Sequence, residues 1–436
     1  MTQRPFLLTS VLLLCASSAL VAQAPAAGAV DSGDTGFMLV SAALVMLMTP
    51  GLAFFYGGMV RGKNVLGTMM QSFVALAIIS VQWIVIGYSL AFGPDQGHVV
   101  GSLAWIGLRG VGMAPNPDYA PTIPHQAYMI YQCMFAVITP ALITGAVAER
   151  MKFKTYLVFM LLWSTLVYDV VAHWVWGSGG WLRNLGALDF AGGTVVHVSS
   201  GVSALVAALM IGRRRGYPDT PMPPHNLPYT LLGTGLLWFG WFGFNAGSAV
   251  TAGTASTGAF IATHVAAASA ALGWVMMDWL VRGRPTALGA ASGAVAGLVA
   301  ITPASGYVGP LSSIVIGGAA GCVCFLAVVL RAKSTVDDSL DVFGVHGTGG
   351  TLGALMTGLF AQKAINAAGA DGLFFGNAAL FGAQLVAVLA TWLYAAAVTY
   401  VLLKVLDLTM GLRVNAEQED EGLDVAEHGE SAYALD

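Results

Sequence analysis

Two histidines, His197 and His346, stand in apolar stretches at equivalent places of a repeated pattern. Asp189 lies eight residues before His197, and the same spacing separates Asp338 from His346. Two neutral imidazoles can share one proton, with one ring donating to the other. Such a pair offers nitrogen donors and acceptors in otherwise apolar surroundings. A metal site is the alternative, and it is weakened because no thiolate or carboxylate is obviously placed as a third ligand.

Asp189 precedes the glycine pair Gly192-Gly193 and has two interpretations. One is an N-cap of the helix that follows; the other is a carboxylate that orients backbone carbonyls toward a cation. Both can hold at once. Ionisable side chains inside membrane spans tend to mark a functional path. For His173 and His264 we nevertheless expect buried histidines that bond to a helix backbone.

A set of aromatic residues completes the candidate chemistry. Each of them alone fits the aromatic belt of a membrane interface. Together they suit a cation, which gains roughly 2 kcal/mol near desolvated aromatic faces. Two of them, Phe135 and Phe244, can also close a hydrophobic constriction that excludes hydrated ions. The whole set is Phe135, Trp174, Trp176, Trp241, Phe242 and Phe244.

Composition places these residues in a membrane. Of the 436 residues, 57% are hydrophobic and 9% are charged, whereas soluble domains average about 25% charged. The net charge of −4 argues against nucleic acid as a partner. A span needs roughly 20 apolar residues, and backbone groups in lipid are satisfied only in helices or closed barrels. We therefore predict an all-α membrane protein with eleven transmembrane helices, at about 34–60, 64–92, 125–148, 153–176, 190–212, 228–248, 256–281, 286–304, 308–330, 341–361 and 376–404.

The loops between these stretches alternate in charge. Odd-numbered loops carry twelve Lys or Arg residues, whereas even-numbered loops carry three. The positive-inside rule then predicts an outside N-terminus and an inside C-terminus for a multi-pass membrane protein. The twelve positive residues are Arg61, Lys63, Arg150, Lys152, Lys154, Arg213, Arg214, Arg215, Arg282, Arg284, Arg331 and Lys333.

The repeated Asp–His spacing falls at the start of the fifth and of the tenth predicted span. Five spans related to five others in this way have opposite orientations, since five is odd. This predicts an inverted repeat with a functional path at the interface of its halves. The eleventh helix is left over and is expected to be peripheral.

The two ends of the chain differ from its middle. Residues 1–26 have a positive start, a short apolar run and small residues after it, which is typical of a cleaved signal peptide. Residues 27–404 form the predicted transmembrane domain. Residues 405–436 are polar and acidic and are predicted to be cytoplasmic; a free solvated tail is the plain alternative.

Several longer motifs together resemble the ammonium transporter family (Amt/Mep/Rh), on its bacterial Amt-type side. The resemblance runs from about residue 34 to the C-terminus. One departure is Tyr131, one turn before Phe135, where an aromatic residue is typical and Phe is common. The motifs are AGGTVVH at Ala191–His197, WFGFNAGS at Trp241–Ser248, DVFGVHG at Asp341–Gly347, and GAVAER at Gly145–Arg150.

The resemblance implies roles for the candidate residues. Phe135, Trp176 and Ser248 would recruit ammonium, with the acid Asp189 supporting recognition from behind. Phe135 and Phe244 would form the gate above the twin histidines His197 and His346. It also implies a location in a bacterial cytoplasmic (inner) membrane, a homotrimer with one pore per subunit, no cofactor, and a tail that docks on loops of neighbouring subunits. A cytoplasmic PII signalling protein would bind that face.

The predicted function is therefore ammonium/ammonia transport through a hydrophobic twin-histidine pore, without enzymatic activity. Two alternatives stay open. One is an ammonium sensor with little transport, and the other is a channel for another small neutral solute. The sequence does not separate electroneutral from electrogenic transport.

Overall fold

The structure, a computed structural model, describes residues 29–433. The predicted signal peptide therefore lies outside the described residues. Each of the eleven predicted apolar stretches overlaps a helix. These helices, numbered α1 to α11, are Ser32–Met59, Gly62–Phe92, His125–Val147, Phe153–Leu185, Gly193–Ile211, Leu227–Ala246, Thr254–Arg282, Ala287–Ile301, Pro310–Ala332, Phe343–Gly347 continuing into Thr348–Phe360, and Ala378–Met410.

Eight of these helices are long and apolar enough to cross a membrane, namely α1, α2, α3, α4, α5, α7, α9 and α11. The remaining three, α6, α8 and α10, are shorter or less apolar. Only short strands accompany them in the described residues: β1 (Asp95–Gln96) pairs with β2 (Val100–Gly101), and β3 (Pro115–Asn116) pairs with β4 (Ala120–Pro124). The helical membrane class is thus observed, whereas the count of eleven spans stays a prediction.

The two predicted halves meet through several helix pairs. Helix α1 packs along α6, which is its expected counterpart in the repeat, and α5 packs against α10. The glycine-rich composition suits these contacts, because small residues let helix backbones approach closely. At Gly233 of α6, for example, an added Cβ would lie 2.3 Å from the backbone nitrogen of Phe55 in α1.

The Asp–His repeat also repeats in backbone geometry. Helix α5 begins with a π-helical turn, Gly193–Val198, and α10 begins with another, Phe343–Gly347. We call these the first and the second histidine turn. The residue three positions after each acid has a positive φ: 118° at Gly192 and 59° at Asp341. Single π turns inside α-helices are frequent at functional sites.

The tail folds back onto the chain's own loops in two short helices, α12 (Ala416–Glu421) and α13 (Leu423–His428). Gly422, between them, has a φ of 111°, which favours glycine. The Leu423 N–H donates to Asn64 Oδ1 at 2.8 Å, and the Gly67 N–H donates to Asp424 Oδ1 at 2.8 Å. The free-tail alternative is therefore wrong for the described residues.

Only some of the basic loop residues contact the acidic side chains of the tail. Arg215 pairs with Asp420 at 2.9 Å, and its N–H donates to Glu419 Oε1 at 2.7 Å. Arg150 instead lies buried and donates to loop oxygens such as Asp337 O at 2.6 Å. Direct charge pairing with the acidic tail is therefore limited, because Arg150, Arg213 and Arg214 bond mainly to groups of the loops themselves.

A buried ion-pair network joins four loops, those that follow α1, α3, α5 and α9. Glu149 binds Arg61 at 2.6 Å and Arg214 at 3.3 Å, and Arg214 binds Asp337 at 2.9 Å. Burial alone would raise the pKa of Glu149, but the guanidinium groups of Arg214 and Arg61 lower it below its usual value. Burial likewise opposes ionisation of Asp337, whose pKa is nevertheless lowered by its hydrogen bonds to Arg214 and by the charge of Arg150.

Candidate functional site

The two predicted histidines meet in the core. His197 Nδ1 lies 3.2 Å from His346 Nδ1, and the ring centroids are 5.3 Å apart at an interplanar angle of 26°. Both side chains are buried, at 1% and 3% exposure. One ring must therefore donate to the other if both are neutral. His197 Nε2 has no partner among the described residues. The predicted approach of the two rings is confirmed.

Close backbone contact sets this distance. At Gly201, one turn after His197, an added Cβ would lie 2.1 Å from the backbone nitrogen of Gly347. At Gly350 an added Cβ would lie 2.9 Å from His197 Cβ. Any larger side chain here would push the two histidine turns apart. The sequence analysis did not identify these glycines. Small residues on a helix face are nevertheless typical of close helix packing in membranes.

A narrow cavity surrounds the histidine pair. It leaves about 10 Å³ for the centre of a water-sized molecule, which is on the order of the space that one water needs. Apart from the imidazoles the lining is apolar or aromatic. It consists of Met48, Leu52, Phe55, Ile138, Leu142, Val196, His197, Leu237, Trp241, Phe244, Val295 and His346.

Stacked aromatic rings cover the cavity at one end. Phe135 and Phe244 have ring centroids 4.2 Å apart at 31°. Trp241 stacks on His197 at 5.4 Å, and its indole N–H donates to Thr302 Oγ1 at 2.9 Å. The predicted pair Phe135 and Phe244 is thus brought together, directly against the first histidine ring.

Trp176 and Ser248 lie against the two phenylalanines, and we call the region that these four residues form the mouth. Trp176 meets Phe135 edge to face, with centroids 6.0 Å apart at 87°. The Ser248 hydroxyl donates to Phe244 O at 2.9 Å and lies 3.1 Å from the Tyr131 hydroxyl. Trp176 and Ser248 are both half-buried. The mouth therefore combines aromatic faces with a hydroxyl oxygen.

Asp189 stands behind the mouth and caps α5. Its two oxygens accept from the backbone N–H groups of Gly192, Gly193, Thr194 and Val195 at 2.6 to 3.2 Å, and from the Thr194 hydroxyl. The cap interpretation is thus confirmed. Asp189 reaches the mouth through its backbone carbonyl, which accepts the Trp176 indole N–H at 2.9 Å.

Two other histidines lie outside this site. His173 is buried, with Nδ1 at 3.0 Å from Ala91 O and Nε2 at 2.9 Å from Asp95 Oδ1. The expectation of a buried, bonded histidine holds there. For His264 it is wrong: the side chain is exposed on α7 and packs on Trp238, with centroids 5.5 Å apart. An apolar window does not reveal which helix face points outward.

A second cavity begins below His346, on the side opposite the mouth. It has a volume of about 140 Å³ and shares Phe55 and His346 with the histidine cavity. Its lining is more polar and includes Arg282 and Asp341. Mouth, aromatic pair, histidines and second cavity thus follow one another. Within residues 29–433, no three His, Cys, Asp or Glu side chains are grouped to hold a metal ion.

Comparison with known proteins agrees with this architecture. The family model described as Ammonium Transporter Family matches residues 36–433. An ammonium transporter of Bacillus subtilis is 55% identical over 402 residues, covering 92% of this chain and 98% of that protein.

Two solved structures resemble the fold. The crystal structure of Saccharomyces cerevisiae Mep2 has a TM-score of 0.84 at 37% identity, covering 89% of this chain and 88% of that one. That of Candida albicans Mep2 has a TM-score of 0.85 at 36% identity, with the same coverage. This chain is a multi-pass membrane protein, and it belongs to the ammonium transporter family.

Proposed function

We propose that the protein recruits ammonium at the mouth, removes its proton, and passes ammonia between Phe135 and Phe244 to the histidine pair. The observation that carries this proposal is the contact between His197 and His346, 3.2 Å apart in an apolar cavity that admits about one small molecule. Membership of the ammonium transporter family supports ammonium as the substrate.

The physical reason for deprotonation is desolvation. Moving a bare cation from water into a medium of low dielectric constant costs of order 20 kcal/mol in the Born limit. Neutral ammonia avoids most of this cost. The cavity offers it imidazole nitrogens, one donor and one acceptor at a time, where apolar walls offer no hydrogen bond. The unpartnered His197 Nε2 is available for such a bond.

Recruitment of the cation would use the mouth. The faces of Phe135 and Trp176 attract a cation through their quadrupoles, and the Ser248 oxygen accepts from it. The Asp189 carboxylate is occupied by N–H groups of its own helix. Its contribution would therefore be to hold Trp176 in place and to add negative potential behind the mouth.

In the membrane we propose eleven spans in a five-plus-five inverted repeat with α11 outside it. The mouth would then face outward and the tail of residues 405–436 the cytoplasm of a bacterium, after removal of a signal peptide within residues 1–26. The exposed apolar surfaces of α7 and α9 suit lipid or a neighbouring subunit. A homotrimer with one pore per subunit is the assembly that we propose.

The docked tail supports a regulatory role. The tail contacts the start of α2 and the loop that follows α5. A cytoplasmic PII protein bound to this face would therefore contact the tail and these two segments. Truncation after Leu412 should then abolish co-sedimentation of PII with membranes or clearly reduce transport. Unchanged transport and PII binding would contradict this role and leave the pore assignment intact.

The test of function uses protein reconstituted in liposomes. An ammonium jump on a solid-supported membrane should give a current that potassium does not give, or, if transport is electroneutral, an internal pH change without current. His197→Ala and His346→Ala should reduce this signal or its selectivity, whereas the exposed His264→Ala is the matched control. Saturable ammonium binding without flux would favour a sensor, and equal urea flux would favour a general solute channel.

A further inference from the structure

A further polar cluster lies outside the pore, in the contact between α2 and α4. Gln82 Nε2 donates to Asp169 Oδ2 at 2.7 Å and to Thr165 Oγ1 at 3.1 Å. We call Gln82 and Asp169, which are both buried, the inner pair. Gln82 directly precedes the π-helical turn Trp83–Gly87 of α2, and Asp169 directly follows the π-helical turn Ser164–Tyr168 of α4. Such turns are frequent at functional sites.

Each residue of the inner pair has one oxygen without a partner. Asp169 Oδ1 and Gln82 Oε1 are buried and accept no hydrogen bond from the described residues. No Lys, Arg or His within residues 29–433 forms an ion pair with Asp169. One amide donor does not offset the cost of burying an ionised carboxylate in a membrane. A proton on Asp169 Oδ1 removes this charge and gives the atom a hydrogen to donate, while Gln82 Oε1 is an acceptor that lacks a donor.

One turn further along α4, His173 extends the cluster toward the surface. Asp169–Trp176 is regular α-helix, so that residues 169 and 173 are neighbours on one face. Both ring nitrogens of His173 face oxygen atoms: Nδ1 lies 3.0 Å from Ala91 O, and Nε2 lies 2.9 Å from Asp95 Oδ1. A carbonyl and a carboxylate are both acceptors. Asp95 and His173, the outer pair, therefore hold one proton more than an ionised carboxylate and a neutral imidazole would.

The hairpin of β1 and β2 connects the outer pair to solvent. His98 Nδ1 lies 3.2 Å from Asp95 Oδ2 and 2.7 Å from Gly179 O. The exposed fraction of the side chain falls from 63% at His98 to 23% at Asp95 and 0% at His173. A continuous series of polar groups thus leads from the surface to the inner pair. We call this series, which consists of His98, Asp95, His173, Asp169 and Gln82, the polar seam.

Other titratable groups surround the polar seam on the elements packed against it. In the described part of the chain none of them is hydrogen-bonded to Asp95, Asp169 or His173. Protons that enter the seam are therefore held by these three side chains. The surrounding groups are Tyr88, Tyr119, His125, Tyr128, Cys133, Tyr168 and Arg183.

We propose that the polar seam is a proton-binding site separate from the pore. Its inner proton lies on Asp169 Oδ1, which makes Asp169 a neutral carboxylic acid, and its outer proton is shared by Asp95 and His173. The site exchanges protons with the solution on the side of the mouth, through His98 and Asp95. A metal cation fits less well, because the inner pair offers two oxygens whereas hard cations take about six. The route proposed for ammonia does not include this site.

Infrared spectroscopy of the reconstituted protein tests the inner proton. A protonated carboxyl group has a C=O stretching band separate from those of ionised carboxylates, and Asp169→Asn should remove one such band at neutral pH. Asp278→Asn is the matched control and should remove none, because the buried Asp278 accepts from Arg282 Nη1 at 3.1 Å and from Thr286 Oγ1 at 2.6 Å. An unchanged carboxyl band in Asp169→Asn would overturn the proposal, as would a band that appears only when sodium is withheld.

Thermal unfolding in detergent gives a second measurement on the same variants. Asparagine matches a neutral carboxylic acid in shape and in having one donor group and one acceptor oxygen. Asp169→Asn should therefore change the melting temperature by less than about 2 °C. Asp278→Asn, which removes the charge that pairs with Arg282, should lower it further. A loss in Asp169→Asn as large as that in Asp278→Asn would show an ionised carboxylate at position 169 and overturn the proposal.

Hydrogen–deuterium exchange tests the route of the proton. After transfer to D₂O the Asp169 band shifts as its O–H becomes O–D. His173→Asn should slow this shift at least about tenfold, since a positioned proton-transfer group typically contributes about 10²-fold or more. Asp95→Asn, in the hairpin outside the helices, should slow it as well and provides the test if His173→Asn does not fold. The exposed His264→Asn is the control. Exchange at the wild-type rate in Asp95→Asn and His173→Asn would overturn the route.

Discussion

The two histidine turns share a sequence pattern and a backbone geometry but not a support. The carboxylate of Asp189 accepts four backbone N–H groups and a hydroxyl from its own turn. Asp338 accepts the Phe343 N–H at 2.8 Å with one oxygen, while its other oxygen has no partner in the described part of the chain. The first turn is thus held locally, and the second depends on its surroundings.

Those surroundings are charged. Asp341, the positive-φ residue of the second turn, binds Arg331 at 2.6 Å, and Asp337 joins the ion-pair network of Arg214. The comparison teaches that a repeated pattern can keep two histidines in matching positions while the groups that support their turns diverge. Equivalent mutations in the first and in the second histidine turn should therefore destabilise the protein to different extents.

The largest difference in the free energy of unfolding is expected between the variants Asp189→Asn and Asp338→Asn. The amide NH₂ at position 189 would face N–H groups that need an acceptor, at a cost of about 3–5 kcal/mol in the free energy of unfolding. At position 338 the amide oxygen can keep the Phe343 bond, and the loss should stay near 1 kcal/mol. Thermal unfolding in detergent measures both. Equal losses would show that the two turns are supported alike.

A smaller difference is expected at the positive-φ residues. Gly192→Ala should destabilise by about 2–3 kcal/mol, because its Cβ would combine left-handed strain with a contact of 2.6 Å to Val196 Cγ2. Asp341→Gly relieves strain but loses the Arg331 pair, so its net effect should lie within about 1 kcal/mol. The same unfolding measurement applies, and the reverse order would contradict the comparison.

The two histidine variants should differ in ammonium flux by about tenfold or less, because an aromatic contact is worth roughly 0.5–1.5 kcal/mol and tenfold corresponds to about 1.4 kcal/mol. His197→Ala should reduce ammonium flux more than His346→Ala, because the ring of His197 also stacks on Trp241 and lies 6.0 Å from that of Phe244. Flux in proteoliposomes measures this. Full wild-type flux in both variants would remove the histidine pair from the mechanism.

The smallest effect concerns pH. The folded-state pKa of Glu149 is lowered, so its stabilisation is complete above its unfolded pKa of about 4.3 and is lost as pH falls through the folded value. The difference in melting temperature between the wild type and Glu149→Gln should therefore stay constant from about pH 5 to 8. A difference that shrinks already near pH 6 would show that the network is not charged as described.

The sequence predicted the apolar helices and the meeting of the two histidines. The length of an apolar stretch locates a membrane helix. The Asp–His spacing, repeated at matching places of the predicted topology, indicated that the two histidines approach each other. It did not predict the π-helical turns or the positive φ at Asp341, since a non-glycine residue adopts that conformation only when tertiary contacts enforce it. The exposed position of His264 was missed for a related reason, because burial depends on which neighbours pack on α7.

The backbone contact between Gly201 and Gly347 has a mechanical consequence. Many transporters with inverted repeats work by rocking one half against the other. Here the halves touch beside the histidines through backbone atoms, with no side chain between them that could swing aside. Rocking would have to break this contact in every cycle. We therefore propose that the two predicted halves form a static frame around the histidine pair. On the proposed function, the moving parts would be the substrate, its proton and the rings of Phe135 and Phe244.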